Sequence, residues 1–329
     1  MTAKLSDGAR RALAGLALGL GLLAASCGGG GQVSTFAPSR IVSFGDETSV
    51  IVDLNNDGNG SKYGVNATVS ADDPTLVCGG NPLWNQSVAA AFGLVFPQCN
   101  PPPAVDAPTS RIRATFGAHA ADIGGQIDAQ QAESPLGAGD MVTFLVGEND
   151  IIDQYLQYPV LSEVDITANV DAAGQEAGRQ VNRLADLGAK VLLATAPDVG
   201  VTPFALGEAA AHADTDRAAL LTRLSASYNA ALRGTIANDG RRIGLILLDE
   251  TISAIAKFPG LDGFTNTTEP VCDLTRSLLT PPSALDCTAQ TFVVNGSASY
   301  FWADDRHLGP SAQNIFGSSA ITRARNNPF

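Results

Sequence analysis

Short, almost wholly apolar runs alternate along this chain with longer stretches of helical spacing. Arg40–Phe44 (RIVSF), Asp140–Val146 (DMVTFLV), Lys190–Thr195 (KVLLAT) and Ile243–Leu248 (IGLILL) read as strands, apolar enough to be covered on both faces. Residues 112–118 read as a further short strand and turn. Ala168–Leu187 carries Ala172, Ala173, Ala177, Val181 and Leu184 on overlapping faces and stops at Gly188, and a long helix is predicted over Ala209–Asn238. Strands and helices alternating at this spacing imply parallel strands joined by crossovers, hence an α/β fold, a three-layer α/β/α sandwich around a parallel sheet. In such a sheet the working residues gather outside the carboxyl ends of the strands.

The pattern breaks at two places. Residues 53–110 are rich in Asn, Asp, Gly and Pro and hold one helical stretch, Trp84–Phe92, so they read as a structured excursion from the domain. At the amino end, Lys4, Arg10 and Arg11 precede an apolar run from Leu13 to Ala25 that is too short and too rich in Gly and Ala for a membrane span, as in an export signal. Leu23-Ala24-Ala25-Ser26-Cys27 resembles a bacterial lipobox, with Ala24 where Leu is usual. The expected organisation is a lipoprotein signal at 1–26, a Gly-rich tether at 27–39 with Cys27 lipidated, and one domain over 40–329. No Asp follows Cys27, which favours the outer membrane over the inner.

Composition narrows the classes. Of the 329 residues 45% are hydrophobic and 16% charged, enough to fill one sizeable core and too little charge for large disordered tracts. Removing residues 1–26 takes away Lys4, Arg10, Arg11 and Asp7 and moves the formal net charge from −13 to about −15. A domain that acidic is a poor partner for nucleic acid or anionic headgroups, so membrane attachment is expected from the lipid. Besides Cys27 there are four cysteines, Cys78, Cys99, Cys272 and Cys287, which can pair in three ways. The sequence-local choice, Cys78 with Cys99 and Cys272 with Cys287, would staple two loop-rich segments in an oxidising compartment. No CxxC pair exists, and His119, His212 and His307 show no ligand-like spacing, so disulfides are preferred to a metal site.

Three stretches fall at strand ends or in the C-terminal loop: Phe44-Gly45-Asp46-Glu47-Thr48-Ser49, Gly147-Glu148-Asn149-Asp150 and Asp304-Asp305-Arg306-His307. Each alone has an ordinary explanation: Asn149-Asp150 after a strand is a common helix N-cap, and a lone Asp or His is more often a surface or loop group. In this order they resemble the signature blocks of the SGNH (GDSL-type) hydrolases, F-G-D-S, then a Gly, then G-x-N-D, then D-x-x-H. Ala196–Pro203 (APDVGVTP) is similar to that family's loop after the next strand, so the resemblance covers about residues 40–317. It implies a flavodoxin-like sandwich and an ester hydrolase with no cofactor or metal. It casts His307 as general base, Asp304 as the carboxylate orienting it, and Asn149 with the backbone amides of position 47 and Gly117 as oxyanion donors. His119 and His212, the latter inside the predicted long helix, match no block and read as structural or surface residues.

The departure is at the nucleophile, where the family's serine is replaced by Glu47. Four readings are open. Ser49, two residues on, substitutes for the missing serine; Glu47 and His307 activate a water; the two form an inert ion pair in a binding module; or the chain is a structural surface lipoprotein. Ser43, within the strand, reads as structural. A carboxylate beside His307 would favour the imidazolium, the wrong state for a base. The leading reading is hydrolysis of a short acyl ester, a lipid or an O-acyl group on a glycan, against a silent member that binds an acylated or glycan ligand. Separately, Asp53, Asn55, Asp57 and Gly58 match the first half of an EF-hand-like calcium loop, but Gly64 stands at its twelfth position, and a polar turn is preferred.

Overall fold

The computed structural model describes residues 36–102 and 104–325. The export signal, Cys27 and the first part of the tether lie outside the described residues. In chain order the strands are β1 (Arg40–Gly45), β2 (Ile51–Val52), β3 (Ser61–Lys62), β4 (Arg111–Ile112), β5 (Asp140–Leu145), β6 (Lys190–Ala194), β7 (Ile243–Ile246), β8 (Asn266–Pro270) and β9 (Tyr300–Trp302). The helices are α1 (Trp84–Ala91), α2 (Ile123–Glu133), α3 (Glu148–Tyr155), α4 (Glu163–Asp186), α5 (Pro203–Ala211), α6 (Arg217–Thr235), α7 (Leu248–Lys257) and α8 (Pro310–Arg325).

The predicted α/β/α sandwich is present. Five strands form one parallel sheet in the order β4-β1-β5-β6-β7. Alternation puts Val42, Phe44, Val142, Phe144, Val191 and Leu193 into one core with Ile127 of α2, Leu184 of α4 and Leu224 of α6. Burying such a side chain stabilises by roughly 1.5–3 kcal/mol. Ile41, Met141 and Leu192 are equally buried, and α8 packs against β6, β7 and α1, with Trp84 and Phe316 stacked at 4.6 Å. The β1–β5 register runs from Arg40 opposite Asp140 to Gly45 opposite Leu145, so the ends of these strands emerge side by side.

Local chemistry corrects several predicted boundaries. The long helix expected over Ala209–Asn238 is two helices, α5 and α6. The Asp216 side chain accepts from the Ala219 amide at 2.9 Å and starts α6 afresh, while His212 closes α5 as its C-cap, so His212 is not inside a helix. The helix expected from Ala168 begins at Glu163, where the Ser162 hydroxyl caps it. Strand β4 is only Arg111–Ile112, and Leu248 opens α7 rather than ending β7.

The excursion at 53–110 is held by polar bonds as much as by apolar ones. Disulfides join Cys78 to Cys99 and Cys272 to Cys287, the sequence-local pairing. Asn66 ties the excursion to the Cys272–Cys287 segment: its amide donates to Cys287 O at 2.8 Å and its Nδ2 to Leu285 O at 3.0 Å. Lys62 is buried, and its ammonium donates to the carbonyls of Cys78, Gly80 and Asn81 at 2.8, 2.6 and 3.0 Å. Burial pushes its pKa down to about 8. Asp53 accepts from the amides of Asp57 and Gly58, and Asp57 accepts from Asn59, the hydrogen bonding common in polar turns. Lys62→Met, which keeps the stem but strands three carbonyls, is expected to cost about 2–4 kcal/mol. The check is the urea midpoint at unchanged slope; an unmoved midpoint would rule out the ammonium as the anchor of this segment.

Candidate active site

The site is assembled at the carboxyl ends of β1 and β5. After Gly45 the Asp46 amide bonds Leu145 O at 3.2 Å, and the Asp46 carboxylate caps the short 3-10 turn Glu47–Ser49 by accepting from the Thr48 amide at 3.1 Å. Beside it, Gly147 has φ +132°, and a Cβ there would stand 2.4 Å from the Tyr228 ring; only glycine lets α3 start this close to α6, with Asn149 in its first turn. Gly117, at φ +71°, turns its amide toward the same point from the loop after β4. The fourth segment follows β9, which pairs with β8 and leads into a turn closed by the Ala303 amide on His307 O at 2.7 Å.

These segments meet on Glu47, which is buried. Its Oε2 accepts from the Gly117 amide at 2.9 Å and from Asn149 Nδ2 at 3.0 Å, the two groups that the resemblance casts as oxyanion donors. Its Oε1 accepts no hydrogen bond. That atom faces His307 Nε2 at 3.9 Å and Arg306 Nη2 at 3.6 Å, and His307 Nε2 is likewise buried without a hydrogen-bond partner. Behind it, His307 Nδ1 lies 2.7 Å from Asp304 Oδ2, while Asp304 Oδ1 accepts from the amides of His307 and Arg306 at 2.7 and 3.0 Å. Arg306 also reaches Glu148 Oε1 at 3.7 Å and Asn149 Oδ1 at 3.4 Å. A cavity of about 20 Å³, bordered by His307, Arg306, Glu148 and Pro197, has room for roughly one water.

The charges compete. Burial opposes a charge on His307, but Asp304 in ion-pairing and hydrogen-bonding contact, helped by Glu148, holds its pKa up at about 9. Asp304, buried too, is pulled down to about 2, chiefly by the His307 charge. Burial raises Glu148 to about 7 against the pull of Arg306 and His307. Asp46 is pushed well above the usual carboxylate range by burial and then by Glu47 and Glu148. At neutral pH the imidazolium is therefore the resting state of His307, able to give a proton and unable to take one.

The structure brings together Glu47, Gly117, Asn149, Asp304 and His307. Ser49 does not join them, which corrects the reading of it as the substitute nucleophile. It is buried behind the turn, where its Oγ accepts from the Trp84 indole at 3.1 Å and its carbonyl from Asn85. Ser43 bonds Thr143 and Asn85 within the core. His119 pairs with Asp153 at 2.9 Å on the surface, and His212 lies near Glu208 at 3.5 Å. Sequence reading missed Arg306 and Glu148, although both stand inside the quoted blocks, and Asp46. It also missed Tyr63, whose ring lies 5.7 Å from that of His307 and 5.2 Å from Phe116; nothing in the excursion's sequence marked it.

The His307 imidazole is expected to titrate near pH 9 by NMR, and Asp304→Asn to lower that value by about 1–3 units. A folded-state value above the ordinary 6.5 means that this group's stabilisation is full below about pH 6.5 and is lost as pH rises through about 9. Thermal stability should fall over that window by on the order of 3 kcal/mol, and by less in His307→Gln. A titration near 6.5 in the parent would contradict the buried imidazolium.

No family model and no curated protein matches this chain. Among solved structures it is similar to an acetylxylan esterase from Geobacillus stearothermophilus, at 12% identity over 88% of this chain and 95% of that one, TM-score 0.42. It is also similar to the acetyl xylan esterase AlAXEase, at 12% identity over 85% and 96%, TM-score 0.40, and to protein YXIM from Bacillus subtilis, at 15% identity over 89% and 57%, TM-score 0.36. A likeness at this level leaves the functional reading to this chain's own residues.

Proposed function

We propose that this chain is an exported, lipid-anchored envelope protein carrying an SGNH-type hydrolase centre in which Glu47 holds the nucleophile's place and keeps ordinary carboxylic-ester turnover off. The observation that carries this reading is the seat of Glu47 Oε2 on the Gly117 amide and Asn149 Nδ2. Serine-type ester hydrolysis needs those donors for the oxygen of the attacked carbonyl and a neutral imidazole beside the attacking hydroxyl. Here the donors are filled by the protein's own carboxylate, the hydroxyl is absent, and His307 rests protonated. Export and anchoring are supported by the basic start, the apolar run and Cys27 in its lipobox-like setting.

The rest of the machinery supports a hydrolase centre rather than a general ligand pocket. Asp304 is hydrogen-bonded to the ring and backbone of His307, and the Nε2 of that ring has no hydrogen-bond partner and points at the nucleophile position. The ester classes expected from the sequence, short acyl, lipid or O-acyl glycan, are accordingly assigned to a serine variant of this site. The purified protein is expected to leave p-nitrophenyl acetate and butyrate at the buffer rate. Glu47→Ser should raise turnover by on the order of a hundredfold or more, and His307→Ala in that background should remove the gain. Parent turnover that disappears in Ser49→Ala would overturn the reading.

A further inference from the structure

Glu47 is held differently at its two oxygens. Oε2 is pinned by two N–H donors. Oε1 is buried, accepts no hydrogen bond, and faces a ring nitrogen that is itself without a hydrogen-bond partner, His307 Nε2 at 3.9 Å. A carboxylate gripped by hydrogen bonds at one oxygen, with only the longer ionic contacts of Arg306 and His307 at the other, is a placed nucleophile, since carboxylates attack carbon and form covalent esters. The carboxyl carbon of Glu47 is three bonds from its Cα, as is the acyl carbon of an esterified serine, and its Oε2 sits on the donors that an acyl-serine carbonyl oxygen would use. An ester formed on Oε1 would therefore stand where this family's deacylation machinery, Asp304 and His307 with the two donors, is aimed.

Because the donors are already filled, the first attack cannot be on a carbonyl that needs them. It must be on a carbon that develops no oxyanion there, a saturated carbon with a departing oxygen that wants a proton. We propose that Glu47 is the nucleophile of an epoxide-opening hydrolysis, with His307 as acid and then base; this rests on the hydrolase-centre reading above. A lone pair of Oε1 attacks an epoxide carbon, the C–O bond breaks, and the departing alkoxide takes the Nε2 proton of the His307 imidazolium. The product is a hydroxyalkyl ester of Glu47 beside a neutral His307, now competent as a base. Water then gives a proton to His307 and adds to the ester carbon, with the negative oxygen on Gly117 N and Asn149 Nδ2. Collapse breaks the bond to the alkoxide, which takes the proton back and leaves as a diol. The remaining carboxylic acid returns its proton to His307, restoring carboxylate and imidazolium.

The surroundings suit such a substrate. The cavity beside His307 holds only about one water, so a substrate reaches Oε1 only with Arg306 swung aside; of the groups around Oε1 it is the exposed one, with 24% of its side chain reachable by solvent against 4% for His307. Tyr63, whose ring lies 5.7 Å from that of His307, stacks on Phe116, which is 62% exposed, giving an apolar rest for an aryl or alkyl substituent.

The full chain with styrene oxide tests this. Diol is expected above the buffer rate, with Glu47→Gln slower by at least on the order of a thousandfold. The decisive measurement uses the parent alone: with enzyme in excess in oxygen-18 water, the first diol carries no label and the Glu47 peptide gains it. Label in the first diol would mean direct attack by water and would overturn the nucleophilic role of Glu47. Absence of both diol and a Glu47 adduct would overturn the inference entirely, while ester turnover by Glu47→Ser would still leave the hydrolase-centre reading standing. Failure of both reactions would remove both.

Discussion

The grip of Gly117 and Asn149 on one oxygen of Glu47 sets the electrostatics of the whole centre. A buried carboxylate is tolerated only with compensation, because taking it out of water costs several kcal/mol. Two hydrogen bonds satisfy Oε2, and Arg306 and the His307 imidazolium balance Oε1 at 3.6 and 3.9 Å. Three further carboxyls crowd the same space. Asp304 stays ionised because His307 and two backbone amides consume its oxygens. Burial raises Glu148 to about 7, and Asp46 is pushed well above the usual carboxylate range by its own burial and then by Glu47 and Glu148. Pairing offsets the charge of two of the carboxyls, and burial shifts the other two toward the protonated form.

The fold delivers this arrangement through register. Pairing of β1 with β5 from Arg40 to Gly45 aligns their carboxyl ends, so the turn bearing Glu47 and the helix start bearing Asn149 cannot drift apart without breaking the central pair of the sheet. The amino ends are fixed by Arg40 forking onto Asp140 with two bonds of 2.8 Å. The excursion contributes by a different physics. Lys62 is fastened by three carbonyls, and the next residue, Tyr63, is thereby carried to the His307 ring. A segment with little apolar periodicity thus supplies one wall of the site.

How far the sequence showed this follows from what each residue depends on. Asp140–Leu145 and Lys190–Ala194 were legible because strands buried on both faces must be apolar throughout. Asn149, Asp304 and His307 were legible because short blocks at strand ends carry their spacing with them. The break between α5 and α6 was missed because Ala-rich periodicity on either side outweighed the start signal at Asp216, a competition settled by the bond from Ala219. The direction of Ser49 was not legible, since a 3-10 turn reorients side chains by an amount that spacing alone does not give. Arg306 and Glu148 were visible as letters, but their partners come from segments more than 100 positions away in the chain.

The choice of glutamate over aspartate at position 47 carries physical content. An aspartate carboxyl carbon would stand one bond, about 1.5 Å, nearer the backbone, at the place of a serine oxygen rather than of an acyl carbon. From there neither oxygen would reach the Gly117 and Asn149 donors as Glu47 Oε2 does at 2.9 and 3.0 Å. The longer side chain fills the donors and still leaves its second oxygen bare before His307. The contact that fills the donors is thus the same contact that presents a carboxylate oxygen toward His307, so the proposed silence toward esters and the proposed reactivity toward a saturated carbon would share one geometric cause.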